Sequence, residues 1–198
     1  VDVSANFATK LNYWATINLK TRGATSFGNN PNIFSLGGAQ WDVFSRYYNR
    51  SVGTNVSPSI IHLIYGVRGF PVNYRNGSTF GLANLEVELK PLHLLFSRPL
   101  TSEVFSNFKV IPFADLASSF YGKNMYDAKN NLNTRTITSS TGTIIAEVNA
   151  FKNPLIYAAG CGIATKIYSY NVRLDYALGY EDGRILNRNF HLSFGYVL

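Results

Sequence analysis

The strongest constraint on the fold is an uninterrupted period of two near the start of the chain. From Thr9 to Arg22 the odd positions read Thr9, Leu11, Tyr13, Ala15, Ile17, Leu19 and Thr21, and the even positions Lys10, Asn12, Trp14, Thr16, Asn18, Lys20 and Arg22. Every even residue except Trp14 is polar. Successive side chains of a strand point to opposite faces, whereas a helix would need apolar residues at i, i+3 and i+4 and would put Lys10 and Asn18 on its apolar stripe. The segment therefore reads as one long strand. Globular strands usually stop near five or six residues, so alternation over this length predicts a wall that crosses something thick.

The pattern recurs. Between Leu82 and Leu95, Ala83, Leu85, Val87, Leu89, Pro91, His93 and Leu95 form one face, and Asn84, Glu86, Glu88 and Lys90 the other. From Asn107 to Ala117, Phe108, Val110, Pro112, Ala114 and Leu116 oppose Asn107, Lys109, Ile111, Phe113, Asp115 and Ala117. Tyr170, Val172, Leu174, Tyr176, Leu178 and Tyr180 alternate with Asn171, Arg173, Asp175, Ala177 and Gly179, and tyrosines at both ends suit a membrane-interface girdle. The chain ends on a strand, Phe190, Leu192, Phe194, Tyr196 and Leu198 against His191, Ser193, Gly195 and Val197. Asn, Gly, Ser and Pro clusters separate these pieces. The connection at Tyr168–Tyr170 is very short, whereas Trp41–Phe80 and Tyr121–Thr136 are long excursions, as in outer-membrane barrels with short turns on one rim and long loops on the other. Within Asp42–Arg50, Trp41, Phe44 and Tyr48 share a helical face. No repeat or linker divides residues 1–198, which read as one β-barrel region with a long loop at about 41–80.

Cost decides which face meets which medium. An Arg or Lys on the lipid face near the bilayer midplane costs about 2–4 kcal/mol, so Lys10, Lys20, Glu86, Glu88, Lys90, Asp115, Arg173 and Asp175 are expected to face the lumen, and the Leu, Tyr and Val face to meet lipid. Charged residues make up only 15% of the chain, against about a quarter in ordinary soluble proteins. No apolar run is long enough for a transmembrane helix: the densest, Ile60–Val67, is broken by His62 and Gly66. The fold class is thus all-β, a transmembrane antiparallel β-barrel with about seven or eight strands present. A soluble lipid-binding barrel or sandwich, with the apolar face inward, is the alternative reading of the same alternation.

The net charge of +7 is spread over single basic residues with no run and no recognition-helix signature, so nucleic acid is not an expected partner. Cys161 is the one cysteine, which excludes an internal disulfide. His62, His93 and His191 lie on separate segments without a metal-ligand pattern, and no nucleophile elbow is present. Neither a catalytic activity nor a cofactor or metal is expected. Gly160-Cys161-Gly162 suggests close packing of a strand backbone. The segment with chemical content is Val67, Arg68, Gly69 and Phe70, deep in the long loop. A guanidinium brought into a lumen needs a carboxylate, since an unpaired buried charge costs several kcal/mol. Glu86, Glu88 and Asp115 all face that way. Gly69 would allow a sharp turn and Phe70 a wedge against the wall.

Five segments carry a family resemblance in their order: Phe34-Ser35-Leu36-Gly37-Gly38, Val67-Arg68-Gly69-Phe70, Asn84-Leu85-Glu86-Val87-Glu88-Leu89-Lys90-Pro91, Phe113-Ala114-Asp115-Leu116-Ala117, and Val172-Arg173-Leu174-Asp175-Tyr176-Ala177. From about Asn32 to Leu198 the chain resembles the barrel of the BamA-like (bacterial surface antigen) family of outer-membrane assembly and translocation proteins. The resemblance implies that this is the C-terminal half of a sixteen-stranded barrel and that Arg68-Gly69-Phe70 is the tip of an inward-folded loop. Its arginine would engage a wall carboxylate at Glu88 or Asp115, with Glu86 on the same face as Glu88 and Phe113 opening the second wall motif. It also implies a closing strand that carries an insertion signal. Ala117 stands where the family has glycine, and the chain ends on Leu198 rather than an aromatic residue. The function implied is insertion of outer-membrane proteins, or movement of polypeptide or lipid across that membrane. Outer-membrane lipid, client barrel proteins and periplasmic or lipoprotein accessory subunits would be the partners. A small closed outer-membrane barrel with a structural or pore role is the competing account.

Overall fold

The computed structural model describes residues 1–39, 61–96, 100–122, 124–126, 134–138, 145–149 and 153–196. In chain order its elements are β1 (Asp2–Asn12), β2 (Ala15–Thr25), β3 (Ile33–Leu36), β4 (Ile61–Tyr65), β5 (Arg75–Gly77), β6 (Thr79–Leu89), α1 (Leu92–Leu95), α2 (Glu103–Ser106), β7 (Lys109–Phe120), β8 (Thr134–Thr138), β9 (Ile145–Asn149), β10 (Leu155–Ile167), β11 (Tyr170–Glu181) and β12 (Arg184–Tyr196). A seven-stranded wall runs β1-β2-β6-β7-β10-β11-β12, antiparallel at every junction. Each strand is therefore beside its neighbour in the chain, and everything else is inserted between wall strands. The fold is mostly antiparallel β-sheet.

The long strand expected over Thr9–Arg22 is instead a hairpin, β1 and β2, turning at Tyr13-Trp14. The alternation survives the turn because of a bulge. Asn12 pairs with Ala15, but beyond an irregularity between Lys10 and Asn12 the partners become Lys10 with Thr16 and Thr9 with Ile17. One extra residue on β1 thus restores odd-to-odd pairing and keeps the apolar faces of both strands on one side. The strand expected over Leu82–Leu95 ends at Leu89. Pro91 has no N–H for the ladder and its fixed φ suits the start of a helix, so Leu92–Leu95 form α1 and His93 lies there rather than on the wall.

The connection from β2 to β6 spans 26–78, beginning earlier than the loop expected at about 41–80. It contains the small sheet β4-β3-β5 and lies as a strap across one face of the wall. Between strap and wall sits the apolar core: Phe34, Leu36, Val67 and Phe70 from the strap pack on Ala24, Phe80, Ala117, Ile156 and Ala158 of the wall. The covered face is the one bearing Glu86, Asp115 and Asp175, all buried. The opposite face exposes Leu85, Leu116, Ile163, Leu174, Tyr176 and Phe190. The helical turn expected over Asp42–Arg50 and the terminal Leu198 lie outside the described residues.

Seven alternating strands leave β1 and β12 pointing the same way. Among the described residues the outer edges of these two strands are unpaired, and the sheet is open. Two edges of equal direction cannot close as an antiparallel pair. Antiparallel closure of this wall requires an odd number of further strands.

Candidate functional site

The tip of the strap meets the wall where small residues on β10 and β11 leave room for it. The covered face of β10 carries Ile156, Ala158, Gly160 and Gly162 in succession. A Cβ on Gly160 would stand 2.1 Å from the carbonyl oxygen of Tyr176 and 2.6 Å from the Phe113 ring, so glycine lets both the β11 backbone and that ring come this close. On β11 the same face offers Ala177 and Gly179. Gly69, with φ of 85°, turns against Gly179, where a Cβ would come within 2.8 Å of backbone atoms on β11. Both positions are backbone-on-backbone approaches that a side chain would block. Phe70 is fully buried beside them and stacks on Tyr74, with ring centroids 4.6 Å apart.

The small floor lets Arg68 reach across to β7 and β6. Its backbone N–H and its Nε donate to Oδ2 of Asp115 at 3.0 and 2.9 Å, and its Nη2 donates to Oδ1 at 2.5 Å. The remaining fork, Nη1, donates to Oε1 of Glu86 at 2.5 Å. The guanidinium lies over the Phe113 ring, 3.6 Å from its centroid, a cation–π contact. Side-chain exposure is 7% for Arg68 and 0% for Asp115, so the pair is out of solvent. Burial by itself would lower the arginine's pKa. Hydrogen bonding to Asp115 and the charges of Asp115, Glu86 and Asp175 outweigh burial and raise it above the ordinary value, holding the guanidinium charged.

A second guanidinium extends the cluster. Arg173 on β11 donates through Nη2 to Glu86 at 2.9 Å and through Nε to both oxygens of Asp175 at 2.9 and 2.8 Å. Asn84 donates to Oδ1 of Asp115 at 2.8 Å. The backbone N–H of Gly69 donates to Nε2 of His191 on β12 at 3.2 Å, which requires an unprotonated Nε2. Glu86, Asp115 and Asp175 are thus each held by at least one arginine, and strands β6, β7, β11 and β12 are tied to a single loop tip.

Of the expected wall positions, the structure brings Val67, Arg68, Gly69, Phe70, Glu86, Phe113 and Asp115 together. Glu88 is elsewhere: it accepts from Lys109 Nζ at 2.8 Å and from Asn18 Nδ2 at 3.0 Å, beyond the strap. A strand advances about 6.7 Å over two residues, enough to carry Glu88 past the reach of a tip anchored at Glu86. In the expected closing strand, Phe190, Leu192 and Phe194 lie on the face away from the strap, on β12 opposite Tyr176, Leu174 and Val172, and Tyr196 pairs with Tyr170. Sequence reasoning placed Arg173 and Asp175 on the lumen face without assigning them to the cluster, and it missed His191. It also missed a second anchor, in which Arg75 pairs with Glu181, donates to the carbonyls of Pro154 at 2.6 Å and Asn153 at 3.0 Å, and Tyr74 donates to the same Glu181. Arg75 and Glu181 are too far apart in the chain for spacing to join them.

The chain matches no family model, no curated protein and no solved structure. Among the described residues no helix is long and apolar enough to cross a membrane, which leaves strand-based crossing untouched.

Proposed function

We propose that this wall is part of an outer-membrane β-barrel of BamA-like type, and that its strap is an inward-folded loop bracing the barrel for insertion or translocation of polypeptide. The observation that carries the reading is the burial of Arg68, in a Val67-Arg68-Gly69-Phe70 tip, between Asp115 and Glu86 on the charged face of the wall. Such an orientation places the apolar face outward, toward lipid. On β11 the outward tyrosines Tyr170 and Tyr180 stand ten residues apart. At about 3.4 Å per residue and a tilt of about 45°, that spans about 24 Å along the membrane normal, near the ~25 Å apolar band of such barrels.

Antiparallel closure of the seven-stranded wall needs an odd number of further strands between β12 and β1, a condition that nine strands meet for a barrel of sixteen and that a single strand meets for a small barrel. In this reading the clamp stiffens β6, β7 and β11 and reaches β12 through His191, while the backbone groups along the outer edges of β1 and β12 are held only by whatever pairs with them. An edge of unpaired N–H and C=O groups is a template for an incoming strand, so the mechanism is noncovalent: a rigid centre and a yielding seam. Client barrel proteins and outer-membrane lipid would be the partners.

The test is assisted insertion. The full protein is reconstituted into lipid vesicles, and the folding rate of a denatured eight-stranded outer-membrane barrel is followed by its protection from added protease. Acceleration over empty vesicles, lost in Arg68→Glu and regained in the Arg68→Glu/Asp115→Arg swap, is the expected result. Equal rates with and without the protein would overturn the reading, and acceleration unaffected by Arg68→Glu would remove the clamp from it.

A further inference from the structure

The connection between β6 and β7, on the rim opposite the strap, carries apolar side chains in the open. Leu94, Leu95 and Phe96 follow from α1, and Val104 and Phe105 from α2; all are exposed, Leu95 at 74% and Phe105 at 57%. Neither one-turn helix buries any residue. Exposed contiguous apolar surface of this kind marks a contact with a partner or a membrane.

The hydrogen bonds say where this surface sits. Thr165 lies on the same face of β10 as Cys161 and Ile163, the face away from the strap, and its hydroxyl donates to the carbonyl of Val104 at 2.6 Å. Lys166 Nζ is 3.6 Å from a Glu103 carboxylate oxygen. A contact of 3.0 Å between His93 Nε2 and the carbonyl of Ser106 fastens the first helix to the second. At the start of the connection, Lys90 N–H donates to the carbonyl of Trp14 at 2.8 Å, locking it to the β1–β2 turn. The second helix is thus fastened to the foot of β10 from both sides, through Thr165 on the face away from the strap and through Lys166 on the covered face. Tyr168 and Tyr170, at the β10–β11 turn just beyond Lys166, are both exposed on the same rim.

We propose that α1 with Phe96, together with α2, is an interfacial lipid anchor, with Leu94, Leu95, Phe96, Val104 and Phe105 seated at the boundary between acyl chains and headgroups. This rests on the outer-membrane barrel reading. The occupant follows from continuity: the patch extends the outward Ile163–Ile167–Leu174 surface of β10 and β11, which that reading puts in lipid, and it lies in line with the Tyr168–Tyr170 end of the aromatic girdle. Aromatic and aliphatic side chains on short polar-backed helices are what an interface binds. The two helices also explain a departure from the expected architecture, since this rim holds a long connection where a tight turn would join β6 to β7.

Cys161, exposed at the middle of β10 on the lipid-side face, supplies an internal control. In one sample Cys161 of the full protein carries an environment-sensitive fluorophore; in another, Cys161→Ser/Phe105→Cys carries it at the anchor, and Cys161→Ser/Leu95→Cys repeats the second measurement. Each is reconstituted in phospholipid vesicles containing nitroxide lipids labelled either near the headgroup or deep in the chain. The expected result is loss of fluorescence at 161 with the deep quencher, and at 105 and 95 with the shallow one. Quenching at 161 with none at 105 or 95 would overturn the anchor while leaving the barrel reading intact, and would assign the patch to a protein partner or to water. No deep quenching at 161 would overturn the barrel reading and the anchor with it.

Discussion

Glu86 and Glu88 stand two residues apart on the same face of the same strand, and they live in different worlds. Glu86 is under the strap, buried, and shared by Arg68 and Arg173. Glu88 is beyond it, half-exposed, with Lys109 and Asn18 as partners. Their sequence contexts are nearly identical. What separates them is cover: the strap removes water from one and not the other, so the same chemistry becomes a structural clamp in one place and a surface pair in the next. Desolvation raises both the strength of a charge pair and the cost of losing half of it, whereas a solvated pair contributes about 0–1 kcal/mol.

That contrast is breakable by mutation. The largest effect is expected from Arg68→Ala, which strips Asp115 of its guanidinium in a dry site and should cost about 3–5 kcal/mol. It would be read as a lowered thermal midpoint by circular dichroism of the detergent-solubilised protein. A comparable loss in Lys109→Ala would erase the distinction between the two regions.

Gly160→Val should follow at about 1–3 kcal/mol, because a larger side chain on β10 must push back the β11 backbone at Tyr176 and displace the Phe113 ring that supports Arg68. If its midpoint matches that of the parent protein, the small floor is not what seats the tip. Glu88→Gln is expected to cost less than about 1 kcal/mol and to lose even that in high salt, while Glu86→Gln should cost more and be insensitive to salt. A salt titration of both variants side by side sharpens the comparison more than either midpoint does. The smallest effect belongs to β1, most of whose residues are exposed. Asn6→Ala there should stay within about 0.5 kcal/mol, and a large effect would mean that something covers this hairpin.

Much of the wall was legible from period two. The strands, their charged and apolar faces, and the short turn at Tyr168 follow from side chains that alternate across a pleated backbone, a property local to each segment. The errors fell where local patterns are blind. The two central residues of the β1–β2 turn, Tyr13 and Trp14, are not usual turn formers, and the bulge beside it preserved the very alternation that disguised it. Pro91 ended β6 early, although its alternating neighbours ran on through His93 and Leu95. In the site, Arg68 and its possible carboxylates could be named from cost, but the choice among Glu86, Glu88 and Asp115 could not, because it depends on where a loop tip lands to within one strand repeat.

By itself, then, the sequence determined an antiparallel sheet with one ionic and one apolar face, and an arginine that needed a buried carboxylate. Those consequences rest on backbone geometry and on the cost of burying charge, which act residue by residue. The tertiary structure decided that the strap lies on the ionic face, that Asp115 and Glu86 rather than Glu88 receive Arg68, and that Arg173, His191 and the Arg75–Glu181 anchor join the wall's far strands to it. Those outcomes are set by the bare floor of β10 and β11, where glycine and alanine leave room for the tip, and by contacts between residues distant in the chain. Such room exists only once the strands that surround it are in register.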